Sequence, residues 1–216
     1  MTVQLVDYQP KVYQGQYGEF SITEGDRSEV IIYRLGLFLA GLSFTAGSVL
    51  ILWKGATLPV LQVLTPLFGI FALALGISLL TIHIYLAPLH KLLQIFWLIG
   101  IISAIVLAGQ SSQPLALYIY NYPLSILGMG FIFAALTGIY FKEAFCFNRL
   151  ETKFLSVIVP SLLLGHLFGL LPVRGEQFLL SCWTLLFIVF VMRKAIQPIP
   201  PDIGDKSVFN YLKQQK

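Results

Sequence analysis

The chain has little charge. Asp, Glu, Lys and Arg make up 11% of its 216 residues, against about 25% in soluble domains. That deficit excludes a disordered chain and a water-soluble globule, which both need charge to hold their surfaces in water. Cysteine is also scarce. Cys146 and Cys182 are the only two, too few for a disulfide framework. Residues 1–34 hold no apolar run and carry Asp7, Glu19, Glu24, Asp26 and Glu29. These features argue against a signal peptide and a transit peptide. There is no His-Glu-x-x-His helix, no phosphate-cradling glycine loop and no Cys-x-x-Cys pair. No serine sits in the Gly-x-Ser-Gly setting that a rhomboid-type protease needs. The expectation is a protein that is not an enzyme, with no metal centre. The net charge of +4 is scattered over short loops. A scattered charge is not the basic patch that nucleic acid requires, so nucleic acid is not an expected partner.

What is present is grease. Apolar residues reach 57%, and they fall in continuous runs. Six runs, 35–53, 60–86, 92–109, 124–141, 154–172 and 177–192, contain no Asp, Glu, Lys or Arg. Lipid offers no hydrogen bonds to a peptide group, so a spanning segment must be a helix or part of a closed barrel. Barrel strands alternate apolar and polar residues, and these runs do not. A helix needs about 20 residues to cross. The second run exceeds that and is expected to tilt, with Pro66 as a candidate kink; the sixth is the shortest. The sequence therefore predicts an all-α, polytopic transmembrane bundle of six spans (35–192). A polar N-terminal tail (1–34) and a C-terminal tail (193–216) flank it.

Basic residues set the orientation. With six crossings one side holds Lys11, Arg27, Arg34, Lys91, Lys142, Arg149, Lys153, Arg193, Lys194, Lys206, Lys213 and Lys216, and the other only Lys54 and Arg174. Positive charge is retained in the cytoplasm, so both termini are predicted there. The far loop 110–123 is uncharged and carries Tyr118, Tyr120 and Tyr122, as expected of an interfacial aromatic belt.

Helices associate in lipid by close approach at small residues. The third span repeats Gly100, Ala104 and Ala108, the fourth Gly130, Ala134 and Gly138, and the fifth Ser161, Gly165 and Gly169. Residues four apart share a helix face. The pattern predicts a tight centre of spans three to five, with the first, second and sixth more peripheral.

Ionisable groups inside a membrane are functional candidates by default. Only His83 and His166 fall within the runs, with His90 at an interface. His166 lies roughly 20 Å from the surface at Lys153, and His83 at most roughly 12 Å from the surface at Lys91. Unequal depth argues against one haem held by both. Either alone remains a candidate ligand for a pigment or haem. The favoured reading is a histidine hydrogen-bonded to a neighbouring helix.

The most varied stretch is 141–153, where Lys142, Glu143, Phe145, Cys146, Phe147 and Arg149 alternate charge with aromatic rings. The bland reading is an interfacial loop with a snorkelling lysine. The functional reading is a docking surface for a partner or lipid headgroups, since interfaces enrich aromatics and Arg. The N-terminal tail, with Tyr8, Tyr13, Tyr17 and Tyr33, is too short to fold alone and either covers the helix ends or meets a partner. The C-terminal tail opens on Pro198, Pro200 and Pro201 and ends on Val208, Phe209, Tyr211 and Leu212 among lysines, a pattern suited to a membrane surface.

The stretch 138–151, with its Phe-Lys-Glu-Ala-Phe-Cys-Phe core, resembles a cyanobacterial family of predicted multi-pass integral membrane proteins of unknown function. The following helix through Pro160 and His166 is consistent with it. The resemblance implies the thylakoid or plasma membrane of a photosynthetic bacterium and implies no activity or cofactor. It gives weight to Lys142, Glu143, Cys146 and Arg149. The leading expectation is a non-enzymatic accessory or biogenesis protein of a photosynthetic, bioenergetic membrane. Embedded in lipid, it would dock to a larger membrane protein complex through its cytoplasmic face. The alternatives are a small-solute or ion transporter, and a pigment- or haem-binding protein.

Overall fold

The computed structural model describes residues 12–214. Asp7, Tyr8, Lys11 and Lys216 lie outside the described residues, as do the side chains of Phe209 and Lys213. The chain opens with a two-stranded antiparallel hairpin, β1 (Val12–Gly15) and β2 (Gly18–Ser21). Gly15 pairs with Gly18 across the two-residue turn of Gln16 and Tyr17, and Gly18, the first residue of β2, takes a positive φ (132°) that glycine adopts without steric cost. Six long segments follow. They are α1 (Glu24–Lys54), α2 (Leu58–Thr81), α3 (Ala87–Gln110), the bent pair described below, α7 (Leu150–Leu167) and α8 (Val173–Ile196). Between α3 and the bent pair lies the short α4 (Leu115–Asn121). Two short helices, α9 (Pro200–Ile203) and α10 (Lys206–Gln214), close the chain.

Five of these helices are long and apolar enough to cross a membrane. The sixth candidate is broken. A turn at Pro123–Ser125 and α5 (Ile126–Met129) meet α6 (Phe131–Phe147) at a bend of 57°. The expected straight span 124–141 is thus corrected: it bends at Gly130. A Cβ on Gly130 would sit 2.4 Å from the Ile126 carbonyl oxygen, so only glycine lets the two pieces meet this way. The start of α1 and the segment after α8 touch, through Lys206 and Asp26 at 2.7 Å. Both described ends therefore share one face of the bundle, here called the terminal face.

The helices run past the apolar runs where polar ends can be satisfied. α1 begins at Glu24, eleven residues before the first run, because Thr23 and Asp26 form a reciprocal capping box. The second run is cut short: α2 ends at Thr81, and Ile82–Leu86 form a loop. A helix over all of 60–86 would be about 40 Å long, beyond a hydrocarbon core of about 30 Å. His83 accordingly sits in a loop at the terminal face and not within a span. The helix continues through Pro66.

The expected three-helix centre holds only in part: α6 does pack on α3 and on α7, but deep burial extends to helices expected at the periphery, with Leu37 of α1, Leu75 of α2 and Phe187 of α8 as fully buried as Ile139 of α6. α1 and α2 come closest at Gly36, where a Cβ would lie 2.7 Å from the Ala74 carbonyl oxygen. Ser78 Oγ bridges there to the Tyr33 carbonyl at 3.0 Å. α3, expected at the centre, buries only Leu93, Gly100 and Ala104. Gly100 and Gly138 do serve the α3–α6 contact, facing Ile132 and Leu93. The third set fails for a local reason. Gly169 (φ 64°) ends α7 in a Schellman turn: its N–H donates to the His166 carbonyl and that of Leu170 to the Gly165 carbonyl.

Candidate functional site

At the terminal face the helix ends are tied by a buried chain of charges. Glu143 of α6 is fully buried, and Lys194 of α8 is 1% exposed. Glu143 Oε1 accepts from Lys142 Nζ at 2.9 Å and from the Tyr33 hydroxyl at 3.2 Å, and Oε2 accepts from Lys194 Nζ at 2.7 Å. Lys194 donates again to Asp202 of α9. Asp202 Oδ2 in turn accepts from Arg34 Nε at 2.8 Å. Arg34 also donates to the Gln197 and Pro198 carbonyls, which pins the proline linker. Arg149 reaches the Gln197 side chain, and Arg193 reaches Glu151 at 2.8 Å. The Phe147 ring lies beneath Lys194 (4.4 Å), Lys142 (5.3 Å) and Arg149 (5.5 Å), each within cation–π range. Four cations (Arg34, Lys142, Arg149, Lys194) thus face two carboxylates (Glu143, Asp202).

The two tails form a cap over this network. Tyr17 stacks on Tyr211 at 4.0 Å, the Gln16 N–H donates to Asp205 at 2.6 Å, and Ile22, Val30 and Ile203 make a small core. Asp205 is held below the usual carboxylate range: slight burial raises it, but hydrogen bonds from Ser207, Gln16 and Val208 lower it more. Residues 1–34 are therefore more than a polar tail over the described part, being a hairpin and two or three turns of α1.

The six residues singled out in 142–149 divide. Glu143 and Arg149 are buried, and Lys142 nearly so, all engaged within the chain. Phe145 is 74% exposed, and Cys146 is exposed. Lys142, Phe145, Cys146 and Phe147 line one groove of about 450 Å³ with His83 and Asp202. His83 Nε2 lies 3.2 Å from Glu29. Its burial lowers its pKa, and the carboxylates of Glu29 and Asp26 only partly offset that.

His166 stands at the opposite face. Its Nδ1 lies 2.6 Å from Glu176 Oε1 and its Nε2 3.2 Å from the Tyr120 carbonyl oxygen. Each nitrogen faces an acceptor oxygen, and a neutral ring donates from one nitrogen only; the contact to Glu176 is the shorter of the two. The favoured hydrogen-bonded reading extends to a carboxylate. Tyr120 packs on the ring at 4.8 Å and donates to Glu176 Oε2 at 3.3 Å. His83 and His166 lie at opposite ends of the bundle, and no cluster of three metal-ligating side chains occurs among the described residues.

Sequence reasoning missed Tyr33, Arg34, Lys194, Gln197 and Asp202. Arg34 and Lys194 were counted as topology signals, and Asp202 was hidden among prolines. The usable signal was opposite charge at the ends of separate spans. No curated protein and no solved structure matches the chain. Over residues 77–211, which hold α3 to α9, Glu143, Lys194 and Asp202, it matches the model of the family described as uncharacterized integral membrane protein (DUF2301), and the chain belongs to that family.

Proposed function

We propose that the chain is a non-enzymatic accessory or biogenesis protein that docks to a larger membrane complex through its terminal face. The retention of basic residues on that face supports its assignment to the cytoplasm. The resemblance of 138–151 supports a cyanobacterial thylakoid or plasma membrane and a photosynthetic complex as partner. One observation carries the docking reading. The charges of this face are turned inward to fix a rigid cap, while Phe145 and Cys146 stay exposed at the rim of a 450 Å³ groove. Aromatic anchors on a pre-ordered surface suit binding, because little side-chain freedom remains to be lost. Lys142 and Asp202 balance each other in the groove's lining, so apolar contact at Phe145, not charge, supports the choice of partner surface.

A photo-crosslinking residue at Phe145, followed by mild solubilisation and a native gel, tests this. The expected result is one crosslinked protein partner that co-migrates with the chain, lost when Cys146→Arg puts bulk and charge at the groove's exposed rim. A chain that migrates alone and crosslinks to nothing would refute it.

A further inference from the structure

A second cavity, of about 460 Å³, lies toward the opposite face. It falls in the size range of small-molecule sites. Its upper end holds Tyr120, His166 and Glu176, and its depth is lined by Leu64, Phe133 and Leu180. Leu64, Phe133 and Leu180 also line a smaller cavity of about 190 Å³ reaching Phe44 and Phe71. The bend at Gly130 helps make this space, since Ile126, Gly130 and Phe133 from both sides of it face in. The cavity is therefore amphipathic along its length. One end is polar, and the rest is apolar and runs toward the middle of the bundle.

The polar end has a definite chemistry. A carboxylate offers about four lone-pair sites. Glu176 meets His166 with one oxygen and the Tyr120 hydroxyl with the other, which leaves acceptor capacity on both. No Lys or Arg lines the cavity. The one basic group there, His166, is already taken up by Glu176 at 2.6 Å, so an anionic headgroup would meet a carboxylate without a cation of its own. A head that donates hydrogen bonds without negative charge is satisfied there. At about 30 Å³ per water-sized group, 460 Å³ holds about fifteen such groups, a hydroxylated head with one medium chain.

We infer that this cavity binds an uncharged, hydroxyl-headed, single-chain amphiphile, with the hydroxyl donating to Glu176 and the chain lying between Leu64, Phe133 and Leu180. This site is separate from the groove at the terminal face and stands whether or not that groove docks a partner.

The test uses the full chain in phosphatidylcholine nanodiscs and two photoactivatable octanoyl probes of equal chain, a monoacylglycerol and an anionic lysophosphatidic acid. The expected result is saturable labelling by the monoacylglycerol at residues near Leu64, Phe133 or Leu180, competed by the untagged compound. Glu176→Gln, which loses the charged acceptor, should weaken half-saturation by about tenfold or more. Ala116→Trp should abolish labelling by filling the cavity. Because Ala116→Trp can also impair folding, Glu176→Gln is read with its thermal melt unchanged as the control. Equal labelling by the anionic probe, labelling confined to the lipid-facing side of α3, or an unaltered half-saturation in Glu176→Gln would each overturn the inference.

Discussion

Glu143→Gln is the most telling perturbation of the terminal face. The change keeps the shape and removes one charge from a fully buried position. Lys142 and Lys194, both held by Glu143 within 2.9 Å, are then left with Asp202 as the single remaining carboxylate of the core network. Removing one partner of a buried pair costs about 3–5 kcal/mol, because the other charge stays out of water without compensation. At about 2–4 °C per kcal/mol for a chain of this size, the melt should fall by roughly 6–20 °C. Intrinsic fluorescence reads it directly, since Trp183 packs on Tyr140 one turn from the network. Lys194→Met should cost a similar amount. The double variant should cost less than the two single losses added, because both remove the same ion pair. Leu80→Ala, at a side chain 69% exposed, is the control and should move the melt little. A shift of Glu143→Gln below about 2 °C, or strict additivity in the double variant, would refute the view that these charges hold the helix ends together.

Asp202→Ala should free α9 and α10, seen as faster trypsin cleavage at Lys206; unchanged cleavage kinetics would contradict the latch. Gly36→Val should destabilise by about 1–3 kcal/mol through overpacking against Ala74, whereas Gly109→Val, with open space around it, should be far milder. His83 should make the protein acid-sensitive. Its folded pKa is lowered, so as pH falls below the unfolded value of about 6.5 the unfolded chain takes up a proton that the folded chain resists, and stability drops. His83→Gln should flatten the melt between about pH 7 and 5, and an identical slope in the variant would refute the assignment. Impermeant thiol reagents should reach Cys146 and a cysteine placed at Gly18 from the same side of sealed vesicles, and access from opposite sides would break the six-crossing reading.

The spans were legible because lipid imposes a simple rule, long runs without charge. Their exact ends were not, since Thr23 and Asp26 extend α1 by a local cap that hydropathy ignores. The break at Gly130 was hidden because a glycine in an apolar run looks the same whether it packs a neighbour or bends the chain. Gly169 likewise matched a four-residue spacing by coincidence and serves a helix end. Of the candidate site, the stretch 142–149 was found, but its division was not. Whether Glu143 points outward or inward depends on Lys194 and Asp202, which lie 51 and 59 positions away, and one sequence carries no sign of that pairing. The His166 partner Glu176 was nearer, ten residues on, yet it sat beyond a turn whose geometry only the fold supplies.

The tie from Arg34 through Asp202 to Lys194 and Glu143 also dictates an order of events during synthesis. Arg34 is made 168 residues before Asp202, and Glu143 59 residues before it. Until Asp202 follows, Arg34 and Lys194 lack the carboxylate that joins them, and water at the membrane edge has to meet both charges. Emergence of α9 therefore completes the tie, and a chain stopped short of Asp202 would leave it open.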